Sequence, residues 1–368
     1  MKSLEIDLET IDDFRSIVLD NRILLDVRAS VEYKKGAFPL SSNLPLLDDE
    51  QRRLVGICYK EKGNASAVEL GQELMGGGVK EQRIQAWKTF IEENPDAYIY
   101  CFRGGQRSQI SQLWLHELAI DRPRLKGGYK AFRSYLMEEA DRISKASKKL
   151  ILGGRTGSGK TILLKELSNA IDLEGLANHR GSSFGKFTSE QPSQIDFENS
   201  LSYALIQHEN SKATHLVLEH EGNNIGKIYL PKNIFNNLRE AELIILEVPL
   251  NQRIDTIFDE YVTQALLEYK LKYKDEAVDK WFDDMNLALQ RVKKRLGSEL
   301  YGELFNLMSE AFEMHKNSGK TDIHKGWIGF LLEKYYDPMY DYQLSQPNMP
   351  VVFQGNTKQV KAFIESYS

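Results

Sequence analysis

Apolar positions along this chain gather into short continuous runs that break at glycines and charged residues, the pattern of strands buried on both faces. The first run, Ile23-Leu24-Leu25-Asp26-Val27-Arg28-Ala29, predicts a strand. A second, Tyr98-Ile99-Tyr100-Cys101, stops at Arg103-Gly104-Gly105. Helical spacing follows over residues 108–118, through Ile110, Leu113, Trp114 and Leu118. Strand, tight loop and helix in that order form an α/β unit with a site at the strand's carboxyl end.

Residues 129–144 predict a connecting helix, entered by the turn signal Lys126-Gly127-Gly128. The sheet pattern restarts just beyond Ala146 with Lys149-Leu150-Ile151-Leu152, a glycine loop and a helix over 161–170. Strands are expected at 215–218, 242–248 and 350–353, the last before a terminal helix, with mixed helical text from 251 to about 333. The expectation is two α/β domains, 1–140 and 141–368, the second with a helical C-terminal part.

Length and composition change this picture little. The 368 residues suffice for two cores, and 41% hydrophobic with 27% charged residues is ordinary globular composition. The opening Met1–Phe14 text carries no apolar leader, and no run of about 18 apolar residues occurs. Two cysteines, Cys58 and Cys101, exclude a disulfide framework and point to a reduced, cytoplasmic setting without membrane contact. A formal charge of −5 gives no global attraction to nucleic acid, so any RNA contact must be local.

Two motifs carry chemistry. Gly154-Arg155-Thr156-Gly157-Ser158-Gly159-Lys160-Thr161 satisfies G-x-x-x-x-G-K-[ST] between a strand and a helix. Such a loop curls its N–H groups around one phosphate, Lys160 adds a charge, and the Thr161 hydroxyl can hold magnesium. Leu216-Val217-Leu218-Glu219 supplies an acidic strand end, with Glu221 two residues on as a second metal carboxylate. The other motif, Cys101-Phe102-Arg103-Gly104-Gly105-Gln106-Arg107-Ser108, sets a thiol before glycines, two arginines and a helix start. Cys101, Arg103 and Arg107 are the candidate catalytic residues, because positive charge and a helix N-terminus favour a nucleophilic thiolate.

Asp26-Val27-Arg28 with Glu32-Tyr33 and Gly36-Ala37-Phe38-Pro39 resembles the rhodanese signature, with Asp26 and Arg28 as a loop-shaping pair. Rhodanese followed by a P-loop domain resembles one family, the tRNA 2-selenouridine synthases, also described as 2-thiouridine geranyltransferase/selenotransferases. The text that matches includes Asn43-Leu44-Pro45, Gly127-Gly128-Tyr129-Lys130, the segment from Gly175 to Gly185 with His179-Arg180-Gly181-Ser182-Ser183-Phe184, and Tyr335-Tyr336-Asp337-Pro338-Met339-Tyr340.

The resemblance implies a rhodanese-like α/β domain followed by a P-loop NTPase-like one. It implies replacement of sulfur by selenium at C2 of a wobble 2-thiouridine. Selenophosphate, from a supplying enzyme, is the selenium donor, and geranyl diphosphate first alkylates the sulfur. Cys101 would serve selenium transfer, the Gly154–Thr161 loop would grip a diphosphate, and His179 and Arg180 would bind a second phosphate or the tRNA backbone. At the acidic strand end the family text is expected to read Glu-Asp-Glu-Ser, whereas this chain has Glu219-His220-Glu221-Gly222.

For tRNA, the densest basic stretch runs from Arg122 to Lys149 and includes Lys126, Lys130 and Arg133; Arg291, Lys293, Lys294 and Arg295 form another, read as a solvated helix face. Two other functions remain open at this point. The spacing Cys101 to Arg107 is the C-x5-R of cysteine-dependent phosphatases, and a P-loop kinase or switch could carry a sulfur-sensing module.

Overall fold

The structure, a computed structural model, describes residues 8–344 and 349–367; the first seven residues of the opening segment lie outside them. The chain forms two compact units, Met1–Ile143 with Ser193–Asn210, and Ser144–Pro192 with Ser211–Ser368. A single division between 140 and 141 misplaces one helix, Gln194–Asn210. That helix buries Phe197, Leu201, Leu205 and Ile206. Its Asn199 amide donates to the Ala37 carbonyl at 2.6 Å, and its Asp196 carboxylate accepts from the Ala37 N–H at 2.7 Å.

In the first unit five short strands form a parallel sheet: β1 (Thr10–Ile11), β2 (Leu24–Asp26), β3 (Ser41–Asn43), β4 (Tyr98–Tyr100) and β5 (Arg124–Leu125), in the order β1-β5-β4-β2-β3. The strands at Ile23 and Tyr98 thus lie side by side, Leu25 opposite Ile99. Asp26 and Arg28 form a buried ion pair of 2.7 Å, and the Arg28 guanidinium lies 4.0 Å from the centre of the Tyr129 ring. Arg28 also donates to the Gly36 carbonyl, so the pair fixes the loop after β2. Leu25, Val27, Trp87, Ile91, Ile99 and Leu115 make the core on which the helices Val79–Glu93 and Gln106–His116 pack.

The second unit carries β6 (Lys149–Gly154), β7 (Ala170–Ile171), β8 (Leu216–Glu219), a hairpin of β9 (Asn224–Ile225) and β10 (Ile228–Tyr229), then β11 (Glu242–Leu246) and β12 (Val351–Gly355). The main sheet is parallel, in the order β12-β11-β6-β8-β7, with β6 at its centre. The helix expected over 161–170 is only Lys160–Lys165, because Ala170 and Ile171 are drawn into extended pairing with Val217 and Leu218. From Leu250 to Leu344 the chain is helical, around Trp281, Met285, Leu289, Leu304 and Trp327. Among the described residues no helix is long and apolar enough to cross a membrane.

Candidate active sites

Each unit has one site, at the carboxyl end of a central strand, where loops diverge and leave room for a ligand.

In the first unit β4 delivers Cys101, which is 3% exposed, to the base of a cleft of about 1080 Å³. Its sulfur lies 3.2 Å from the Ser108 hydroxyl on the following helix. The loop is held from behind by the turn expected at Gly127-Gly128: the Tyr129 and Lys130 N–H groups donate to the carbonyls of Cys101 and Phe102. Gly128 has φ +58°, and a Cβ there would meet the Cys101 carbonyl at 2.3 Å, so only glycine fits.

The two loop arginines part company. Arg103 is exposed beside Phe102 and lines the cleft, whereas Arg107 gives its guanidinium to Glu32 at 2.5 Å. Burial pushes the Glu32 carboxyl up, but the hydrogen bond and charge of Arg107 hold it below the usual carboxylate range. Glu32 takes up two of the five guanidinium donors of Arg107, which still lines the cleft. Glu32 therefore orients the loop from a distance of 75 residues.

In the second unit the loop after β6 surrounds a cavity of about 420 Å³ lined by Gly154, Thr156, Gly157, Gly159, Lys160 and Thr161. Gly157 has φ +81°, and a Cβ there would meet the Arg253 carbonyl at 2.7 Å. Lys160 Nζ donates to the Gly154 carbonyl at 2.9 Å. The Ser158 hydroxyl is buried with no partner among the described residues. It stands behind the loop, outside the cavity lining; Lys160, Thr161 and the glycine-opened backbone are what fit the anion the sequence announces.

The acidic side of this cavity differs from expectation. Thr161 Oγ1 donates to Glu174 at 3.2 Å, not to either strand-end carboxylate. Glu174 and Glu221 share a carboxyl–carboxyl hydrogen bond, and burial raises both above the usual range. Glu219 accepts from the Glu174 N–H at 2.6 Å, and burial pushes it up to about 8. Of the expected metal set Thr161, Glu219 and Glu221, the structure turns Glu219 to the backbone and brings in Glu174. The sequence reading missed Glu174 because it stands one residue ahead of the Gly175–Gly185 text and belongs to no motif. Among the described residues no group of three or more acidic, His or Cys side chains is arranged as a metal cage. The hard oxygens of Thr161, Glu174 and Glu221 nevertheless suit magnesium with water filling its remaining positions.

Arg180 lines the cavity while its guanidinium pairs with Glu268 at 2.6 Å and stacks on Phe187. His179 does not line it; its Nδ1 accepts from the Gly181 N–H and shapes the turn, and burial lowers its pKa. The far wall comes from the helical part. Two π-helical turns, Asp259–Gln264 and Leu332–Tyr336, present Glu260 and Tyr261, and Tyr335 and Tyr336. Such turns commonly mark functional positions because the extra residue re-aims side chains. Asp337 pairs bidentately with Arg253, which also donates to the Thr156 carbonyl, so the aromatic run braces the phosphate loop. Arg295, from the stretch read as a solvated helix face, also lines this cavity.

Of the expected RNA-binding residues, Lys130 is exposed at a helix start, Lys126 pairs with Asp12 at 3.0 Å, and Arg133 is spent inside the unit on Asn199 and Glu198.

Comparison with known proteins adds the following. Residues 147–368 match the family model of the tRNA 2-selenouridine synthase AAA domain. The tRNA 2-selenouridine synthase of Sulfurovum sp. (strain NBC37-1) is 53% identical over 98% of this chain and 99% of its own length. That of Shewanella denitrificans is 46% identical over 96% of both chains, and that of Marinobacter nauticus 44% over 96% of this chain and 97% of its own.

Proposed function

This chain belongs to the tRNA 2-selenouridine synthase family, and from that premise we propose that it exchanges sulfur for selenium at a wobble 2-thiouridine of tRNA. The observation that carries the reading is the pairing, in one chain, of a buried thiol opening on a cleft with a glycine-opened phosphate loop whose Lys160 and Thr161 line a second cavity.

In this reading the first unit is a rhodanese-like domain, and Cys101 serves the transfer of selenium from selenophosphate, which a supplying enzyme provides. The second unit grips the diphosphate of a geranyl donor through Lys160 and the loop N–H groups. A bond forms between the uridine sulfur and the geranyl C1 as the C1–O bond breaks, and diphosphate leaves with the electron pair. The selenium of selenophosphate then bonds to C2 of the base as the C2–S bond breaks and geranyl thiolate leaves with the electron pair and takes up a proton; water cleaves the Se–P bond, releasing phosphate and leaving 2-selenouridine. Alkylation serves to turn a poor leaving group into a good one. A magnesium ion on Thr161, Glu174 and Glu221 would neutralise charge developing on the diphosphate. Lys130 and Arg103 are the exposed cations of the first unit placed to meet tRNA phosphates near the thiol. The site of action is the cytoplasm, where thiols stay reduced.

The test is mass spectrometry of a 2-thiouridine anticodon stem-loop incubated with geranyl diphosphate, selenophosphate and the protein. Wild type should yield 2-selenouridine, Cys101→Ser should stop at the geranylated base, and Lys160→Ala should leave the 2-thiouridine unaltered. An unchanged RNA mass with wild type would overturn the reading.

A further inference from the structure

The cleft over Cys101 is far larger than the cargo of its thiol. A sulfur or selenium carrier needs room for an anion of a few atoms, whereas this space measures about 1080 Å³. Most of its exposed wall is aliphatic and aromatic, from Val55, Val68, Met75, Ile110, Leu113 and Trp114, with the polar Asn64, Gln72 and Gln106 among them. The helix that supplies Val55 and Val68, Asp49–Glu73, breaks at Gly63, where φ is +83°. At the mouth Ile57 and Tyr59 are 40% and 59% exposed.

The charges around this cleft are largely settled. Arg52 and Arg107 share Glu32, Arg53 pairs with Glu50 and Lys80 with Glu117. Lys60 and Arg103 make no ion pair among the described residues, and both line the cleft. The cleft therefore offers mainly apolar surface, with Lys60 and Arg103 left unpaired to meet an anionic scaffold. Such a site selects a ligand with an apolar body and a polyanionic carrier.

We propose that this cleft seats the apolar chain borne on the sulfur of the base, holding an S-prenylated uridine with its C2 beside Cys101. The assignment rests on the proposed function above, which makes an S-geranyl base the species that meets the selenium carrier. It assigns the chain to the first unit during selenium exchange, apart from the diphosphate grip of the second. The cleft then discriminates an alkylated from an unalkylated base by burying the substituent, which a plain thiocarbonyl cannot supply.

Two measurements on the full-length protein test it. In calorimetry, 2-(geranylthio)uridine nucleoside should bind at least tenfold tighter than 2-(methylthio)uridine nucleoside. Ile110→Glu should erase that ratio and Ile110→Leu should keep it. In the second, on wild-type protein and so independent of any folding defect, the rate of Cys101 alkylation by iodoacetamide should fall at least fivefold with saturating geranyl nucleoside and hold steady with the methyl one. Equal affinities for the two nucleosides, or alkylation that saturating geranyl nucleoside does not slow, would overturn the assignment. Protection of Cys101 without any selenouridine formation would leave the cleft assigned and sink the transfer reading. Selenouridine formation without protection would do the reverse.

Discussion

The two sites occupy the same place in the same kind of sheet and are built on opposite principles. Around Cys101 the polar groups are already matched: Arg28 with Asp26, Arg107 with Glu32, the loop carbonyls with Tyr129 and Lys130 N–H groups. What remains open there is mainly apolar, with Lys60 and Arg103 the unpaired cations among the described residues lining the cleft. Around Lys160 the lining groups are polar: Thr161, Arg295 and a hydrogen-bonded Glu174–Glu221 pair whose carboxyls burial holds above the usual range. A site whose charges are satisfied from within leaves shape and apolar area to choose the ligand. One lined by charged and polar groups favours a ligand that brings charge.

The sharpest way to break the comparison is to unsettle the first site's internal pairing. Asp26→Ala strands the Arg28 guanidinium, 2% exposed, and should cost about 3–5 kcal/mol in urea denaturation. A loss below about 1 kcal/mol would mean the pair does not hold the loop. Next comes a pH effect in the helical part of the second unit. His324 accepts from the Trp327 indole N–H on one nitrogen and faces His315 on the other, and burial pushes its pKa down to about 4. Because the folded value lies below the unfolded one, this contribution is complete above about pH 6.5 and is lost as pH falls towards 4. His324→Gln should flatten that slope in a pH series of thermal melts.

For the phosphate site, Glu174→Gln should weaken magnesium-dependent binding of geranyl diphosphate about tenfold, the effect of losing one charged hydrogen-bonding ligand. Unchanged affinity in calorimetry would remove Glu174 from the site. The smallest expected effect concerns tRNA. Lys130→Ala should reduce the slope of log affinity against log salt by about one, whereas Arg133→Ala should leave the slope alone and lower stability instead.

Much of both sites could be read from local text, because a phosphate loop and a cysteine loop are each made by consecutive residues. Lys160 and Cys101 fall where their motifs place them, at the ends of β6 and β4. Short strands such as β1, β5 and β7, only two residues long, left no periodicity to detect. The fate of charged side chains was the least legible. Arg107 is read from the sequence as catalytic and Arg133 as RNA-binding, yet each finds a carboxylate, 75 and 65 residues away.

The sequence by itself determined the two α/β patterns, the glycine positions that let each loop curl, and the family. These follow from spacing of a few residues, where backbone geometry leaves little choice. Only the tertiary structure decided that residues 193–210 complete the first unit, that Glu174 rather than Glu219 meets Thr161, that Arg295 faces the phosphate cavity, and that the thiol opens on an apolar cleft. Those outcomes depend on which distant surfaces share a core and which buried charges find partners, and no local pattern encodes either.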